Sequence, residues 1–106
     1  MPSSIPADAI ARQIVRSGTL IGANYRSACR AKSNADMINK LKIVEEESDE
    51  TAYWLELMVE MEFLPQEKIS PIAKEVNEIV AMTVASIKTL RASSKAHKSK
   101  IQYMES

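Results

Sequence analysis

At 106 residues the chain is one domain, and 14 Lys and Arg against 14 Asp and Glu leave it without net charge, so total charge selects no polyanionic partner. The single cysteine, Cys29, excludes an internal disulfide framework and fits a reducing compartment. The N-terminal MPSSIPADAIARQIVRSG lacks the basic start and apolar run of a secretory leader. No apolar stretch approaches the roughly 20 residues that cross a bilayer, so no membrane partner and a cytoplasmic location are expected.

The first helix is expected from about Ile5 to Ala31. Ser4 is placed to cap it, Pro6 occupies the first turn where no N–H is needed, and Asp8 suits the positive helix end. Ile10, Ile14, Gly18, Ile21, Tyr25 and Ala28 recur at three- and four-residue spacing and define one face. Gly18 and Gly22 each cost a helix interior about 1 kcal/mol relative to alanine. Such glycines are expected either where helices approach closely or where a weak position is tolerated.

The second helix starts at the capping signal Ser33-Asn34-Ala35-Asp36. Its stripe is Met37, Leu41, Val44, Ser48, Thr51 or Ala52, Leu55 and Met58 or Val59, and Pro65 stops it after Phe63 or Leu64. A third helix opens either at Pro65-Gln66 or at Ser70-Pro71. Its face is Ile69, Ile72, Val76, Ile79 or Val80, Thr83, Ile87 and Leu90. Periodicity fails after Arg91. Residues 93–106, Ser- and Lys-rich, are expected to form a polar, disordered tail behind a bundle domain of residues 1–92. Three long amphipathic helices on short links predict an all-α, up-down helical bundle.

Charge is divided between the first two helices. Arg12, Arg16, Arg26, Arg30 and Lys32 stand against only Asp8 in the first. The second holds nine carboxylates, with a run from Glu45 to Glu50, against Lys40 and Lys42. Antiparallel packing sets arginine against carboxylate, which selects pairing more than it stabilises. The functional reading of the same residues is a partner or RNA contact made by Arg12, Arg16, Arg26 and Arg30, joined by Lys95, Lys98 and Lys100 of the tail.

Catalytic and metal chemistry find few residues to carry them. A di-iron bundle needs Glu-x-x-His pairs, and the one histidine, His97, stands apart in the tail. Cys29 has no neighbouring base to activate it, and its place beside the apolar stripe predicts a packed core thiol. Trp54, among Leu55, Leu57, Met58 and Met61, reads as core or subunit interface. Phosphate loop, catalytic triad and zinc spacing are all missing. No enzymatic activity, cofactor, metal or small-molecule substrate is expected.

Two segments, RSGTLIGANYRSACRAKS from Arg16 and KLKIVEEESDETAYWLEL from Lys40, resemble the four-helix-bundle proteins encoded within intervening sequences of bacterial 23S ribosomal RNA genes. The similarity extends through Ser86-Ile87-Lys88-Thr89-Leu90-Arg91. The resemblance implies a bundle protomer without catalytic activity that assembles into a ring-like homo-oligomer, a pentamer. It also implies a further helix ahead of the one holding Asn24-Tyr25-Arg26. Met1 falls where the link after that helix belongs, so this is either a three-helix version lacking the first family helix or a chain whose start is placed too late. Without that cover, Ile14, Ile21, Trp54 and Ile79 need another, and self-association is the simplest. Family members often carry Glu where this chain has Ser27, and a polar network is expected around Asn24, Glu50 and Arg26. The expected function is that of a homo-oligomeric structural or interaction module. RNA or nucleoprotein binding through the arginines of the first helix is the alternative.

Overall fold

The computed structural model describes residues 4–105 as three antiparallel helices, α1 (Ile5–Cys29), α2 (Asn34–Glu60) and α3 (Gln66–Glu105). Residues 1–3 and Ser106, and the expectations that touch them, lie outside the described residues. The helix starts follow their local chemistry. Ser4 is extended and its Oγ accepts the Ala7 amide at 3.1 Å, with Pro6 in the first turn. Ser33 likewise takes the Asp36 amide at 3.1 Å. α2 stops through paired bonds, Glu62 N–H to the Val59 carbonyl at 2.9 Å and Phe63 N–H to the Met58 carbonyl at 3.0 Å. That is a Schellman stop, which places one residue in the left-handed region that favours glycine. Glu62 occupies it, at φ 60°.

α3 opens at Gln66, directly behind Pro65, and does not end near Arg91. It continues to Glu105, so the described part of the segment expected to be a disordered tail is helical. Neither glycine nor proline interrupts residues 72–105, and Ala92, Lys95, Ala96, Lys98 and Lys100 are good helix formers. Asn34 Nδ2 also donates to Ser94 Oγ at 3.2 Å, tying α3 to the start of α2. The periodicity fades because α3 runs out of neighbours to bury against. Helix continues where a buried face does not.

α2 is the central element. It packs against α1 on one flank and α3 on the other, while α1 and α3 make no close backbone approach among the described residues. The result is long and thin, 66 × 20 × 15 Å. Ala28, Leu41 and Ile87 form one apolar cluster, flanked by Met37, Ile38 and Leu90. Leu55, Ile69 and Val76 form another, with Ile14, Ala52, Val59, Leu64 and Ala73 against it. Burying each large aliphatic side chain contributes about 1.5–3 kcal/mol. Four hydroxyl side chains, Ser17, Ser48, Thr51 and Thr83, are buried along with these clusters.

The α2 stripe is buried as its spacing predicts, at Leu41, Val44, Ser48, Thr51, Leu55 and Met58. On α1 the expected face is buried at Ile10 and Ala28 and half-buried at Ile14 and Ile21, and it departs from expectation at Gly18 and Tyr25, which are exposed. Ser17, not Gly18, is buried. Gly18 and Gly22 are exposed, and a Cβ added at either would meet nothing within 4 Å. Neither serves a close helix approach among the described residues. Cys29 is exposed rather than packed in the core. Ala28 takes the buried position, and the next residue lies about 100° further around the helix. Ile14, Ile21, Trp54 and Ile79 are each half-buried.

Candidate functional site

The antiparallel register brings a polar cluster together across α1 and α2. Arg16 Nη2 donates to Glu50 Oε1 at 2.5 Å and lies 3.4 Å from Glu47 Oε2. Arg16 Nε donates to Gln13 Oε1 at 3.1 Å, and Trp54 Nε1 donates to Glu50 Oε1 at 3.3 Å. Alongside, the Ser17 and Thr51 hydroxyl oxygens are 2.6 Å apart. Thr51 Oγ1 donates to the Glu47 carbonyl at 2.8 Å. A hydroxyl has one proton, so Ser17 then donates to Thr51.

These contacts move the acids in opposite directions. The bond from Arg16, then that from Trp54, holds the Glu50 carboxyl below the usual carboxylate range. Burial, followed by the hydrogen bond with Glu50, pushes Glu47 up. Arg16 is raised, chiefly by its bond to Glu50. Glu47 also meets Arg16, but at the longer distance, and there burial prevails.

Of the three residues expected to form a network, only Glu50 joins one. Asn24 Nδ2 donates to the Leu20 carbonyl of its own helix at 2.9 Å, and Arg26 is exposed. With Ser17 opposite Thr51, Asn24 lies seven residues, about 10 Å, further along α1. Arg16 takes the place expected for Arg26. Nor do the four arginines form one surface. Arg12 and Arg16 lie beside the acidic stretch of α2, and Arg26 is ten residues, about 15 Å, beyond Arg16, with Arg30 further still.

An apolar groove of about 470 Å³ opens where α1 and α3 diverge. Tyr25 and Cys29 line it from α1, Met82, Ser86 and Thr89 from α3, with Leu41 of α2 below. No charged side chain lines it. Tyr25 remains 46 % exposed and Met82 49 %. No group of three or more His, Cys, Asp or Glu side chains is arranged to hold a metal ion among the described residues. No helix among them is long and apolar enough to cross a membrane.

The architecture is that of an antiparallel helical bundle with one flank open. The chain belongs to the family of 23S rRNA-intervening sequence proteins, whose family model matches residues 2–85. A crystal structure at 1.70 Å resolution, of a protein of unknown function from the S23 ribosomal protein family of Bacteroides thetaiotaomicron VPI-5482, is similar to it. The two are 46 % identical with a TM-score of 0.72, over 74 % of this chain and 73 % of that one. A search of curated proteins found no match. The family resemblance and the all-helical bundle expected from sequence are both borne out. Residues 86–105 of α3 lie beyond the family match.

Proposed function

We propose that this chain is a non-catalytic structural or interaction module that works as a cytoplasmic homo-oligomer, with a second copy covering the groove between α1 and α3. The observation that carries this reading is the uncharged lining of that groove, on a chain in which 26 % of residues are charged. Large exposed apolar patches are uncommon on monomers. Val15 and Tyr25 leave α1 with apolar side chains uncovered, and Ile72 and Met82 do the same for α3. Each copy therefore offers apolar side chains on both outer helices, from which the two complementary surfaces of a closed ring can be built. A closed ring is the form proposed, and five subunits is the number implied by the family resemblance.

Light scattering of the full chain at micromolar concentration tests the reading. A mass near five times 11.8 kDa is expected, and Met82→Glu should shift it to a single 11.8 kDa chain. Wild-type protein that scatters as one chain would overturn it. RNA binding through Arg12, Arg16, Arg26 and Arg30 is not favoured. Arg16 is already engaged by Glu47 and Glu50, and the other three are split between two ends of the bundle.

A further inference from the structure

Total charge is zero, but antiparallel packing sorts it by end. Contact among Ala28, Leu41 and Ile87 sets one level of the bundle. A plane just inside that level separates residues 26–42 and 86–105 from the rest. Those two stretches hold ten Lys and Arg against two carboxylates, Asp36 and Glu105. Residues 5–25 and 43–85 hold twelve Asp and Glu against four cations, Arg12, Arg16, Lys68 and Lys74. One end therefore carries +8 and the other −8. The molecule is 66 Å long, several times the Debye length of about 8 Å at physiological salt. A partner at the basic end is screened from most of the acidic one.

We propose that the basic end is a binding surface for nucleic-acid phosphates, centred on Arg91, Lys95 and Lys98 of α3. These three side chains, with Ser94, meet Ala35 and Ile38 of α2 around a shallow hollow of about 390 Å³ that no carboxylate lines. Lys88 extends the row, and the four cations share one flank of α3 over about 15 Å. No Asp or Glu interrupts α3 from Ile79 to Met104. Ion pairs among the described residues form at Arg16, in the acidic half, and none forms in this row. Past Ser94, which bonds the first residue of α2, α3 runs on for eleven residues, about 16 Å, with residues 95–102 exposed. A lone helix about 10–12 Å across is slim enough to lie along a strand or enter a major groove about 12 Å wide.

Nucleic acid fits this surface better than a lipid headgroup layer does. Membrane-surface helices set Trp, Phe or Leu against their cations; residues 91–105 contain none of these, and Ile101 and Met104 are the large apolar side chains exposed there among the described residues. Ser93, Ser94, Ser99 and Gln102 stand among the cations as neutral hydrogen-bonding groups. The row also lies on the opposite flank of α3 from Met82, Ser86 and Thr89, so it stays free when the groove is covered. Its success or failure is independent of self-association.

The test is fluorescence anisotropy of the full chain with a labelled 20-nucleotide single-stranded RNA and a labelled 20-base-pair DNA duplex. About three or four phosphate contacts predict affinity falling roughly 50-fold between 50 and 200 mM salt. The triple variant Arg91→Gln, Lys95→Gln, Lys98→Gln should bind at least tenfold more weakly and lose most of the salt dependence. Arg12→Gln should leave both unchanged, and circular dichroism checks that the triple variant keeps its helices. Lys88→Gln alone, expected to weaken binding two- to threefold, guards against a folding artefact. Absent binding, or a triple variant that binds like wild type, overturns the proposal. So does dependence on the three cations seen only with vesicles containing phosphatidylserine, which would assign the surface to membranes. A low-salt rise in mass abolished by the same substitutions, without nucleic-acid binding, would assign it instead to the acidic end of another copy.

Discussion

Arg16 of α1 and Glu50 of α2 stand thirty-four positions apart in sequence and meet at 2.5 Å, with Trp54 bonded to the same carboxylate oxygen. Glu50 is held below the usual carboxylate range by that contact. Its contribution to stability is therefore present above the unfolded value, about 4.3, and lost as pH falls through the lower folded value. Glu50→Gln should lower the urea midpoint at pH 7, with the gap to wild type closing below about pH 4. Glu47, pushed up by burial, has the opposite sign: it favours the fold when protonated and weakens it as pH rises through the raised value. Glu47→Gln should be neutral or stabilising at pH 7. Matching pH profiles for the two variants would contradict this assignment.

Ser48 Oγ is buried and has no hydrogen-bond partner among the described residues. Thr51 and Thr83 bond the carbonyl four residues back, at 2.8 and 2.7 Å, and Ser48 does not. An unpaired buried hydroxyl carries a desolvation cost of about 1–3 kcal/mol. Ser48→Ala should therefore raise stability by up to about 1 kcal/mol. Thr51→Val should lower it by about 1 kcal/mol or more, because Ser17 loses its nearer acceptor. Equilibrium denaturation of both variants reads the difference directly.

Glu62 adopts φ 60° at the end of α2, where a side chain costs roughly 1–2 kcal/mol. Glycine removes that cost but adds freedom to the unfolded chain, about 0.4–1 kcal/mol in the other direction. Glu62→Gly should give a net gain of about 0.5–1 kcal/mol. A thermal melt that moved downward would mean that the Glu62 side chain makes a compensating contact.

Gly18 and Gly22 are exposed, and an added methyl meets nothing at either site. Alanine at each should stabilise the isolated helical layer by about 1 kcal/mol. Should either substitution reduce the assembled mass in light scattering, that glycine lies under a neighbouring subunit.

Cys29 offers a direct readout of the covered groove, because its thiol is exposed in the single chain and lines that groove. In assembled wild-type protein it should react with a thiol reagent at least tenfold more slowly than in Met82→Glu. Equal rates in the two proteins would place the self-association surface elsewhere.

How much of this was legible in sequence depended on whether a feature is local. The caps at Ser4 and Ser33 and the buried stripe of α2 follow from neighbouring residues alone. The α1 face was legible at Ile10 and Ala28 but not at its middle, where a buried Ser17 looks polar while Gly18 looks neutral, and only the Thr51 hydroxyl opposite explains the burial. The end of α3 was misread for a related reason, since apolar spacing reports what a helix packs against and not where it stops. The choice of Arg16 over Arg26 as the partner of Glu50 was beyond the sequence. Both arginines sit on α1, and only the level at which the two helices meet decides between them.

The hydroxyl contact between Ser17 and Thr51 also works as an index mark between helices. Sliding α1 one turn towards the α2 C-terminus would set Ser17 against Leu55, stranding a buried hydroxyl on hydrocarbon. Sliding it the other way would part Arg16 from Glu50 and carry Ala28 off Leu41. A polar pair inside a largely apolar seam favours one alignment in this way. The contact sets the lengthwise alignment of α1 on α2 and leaves the angle between α1 and α3, which make no close backbone approach among the described residues, to other contacts.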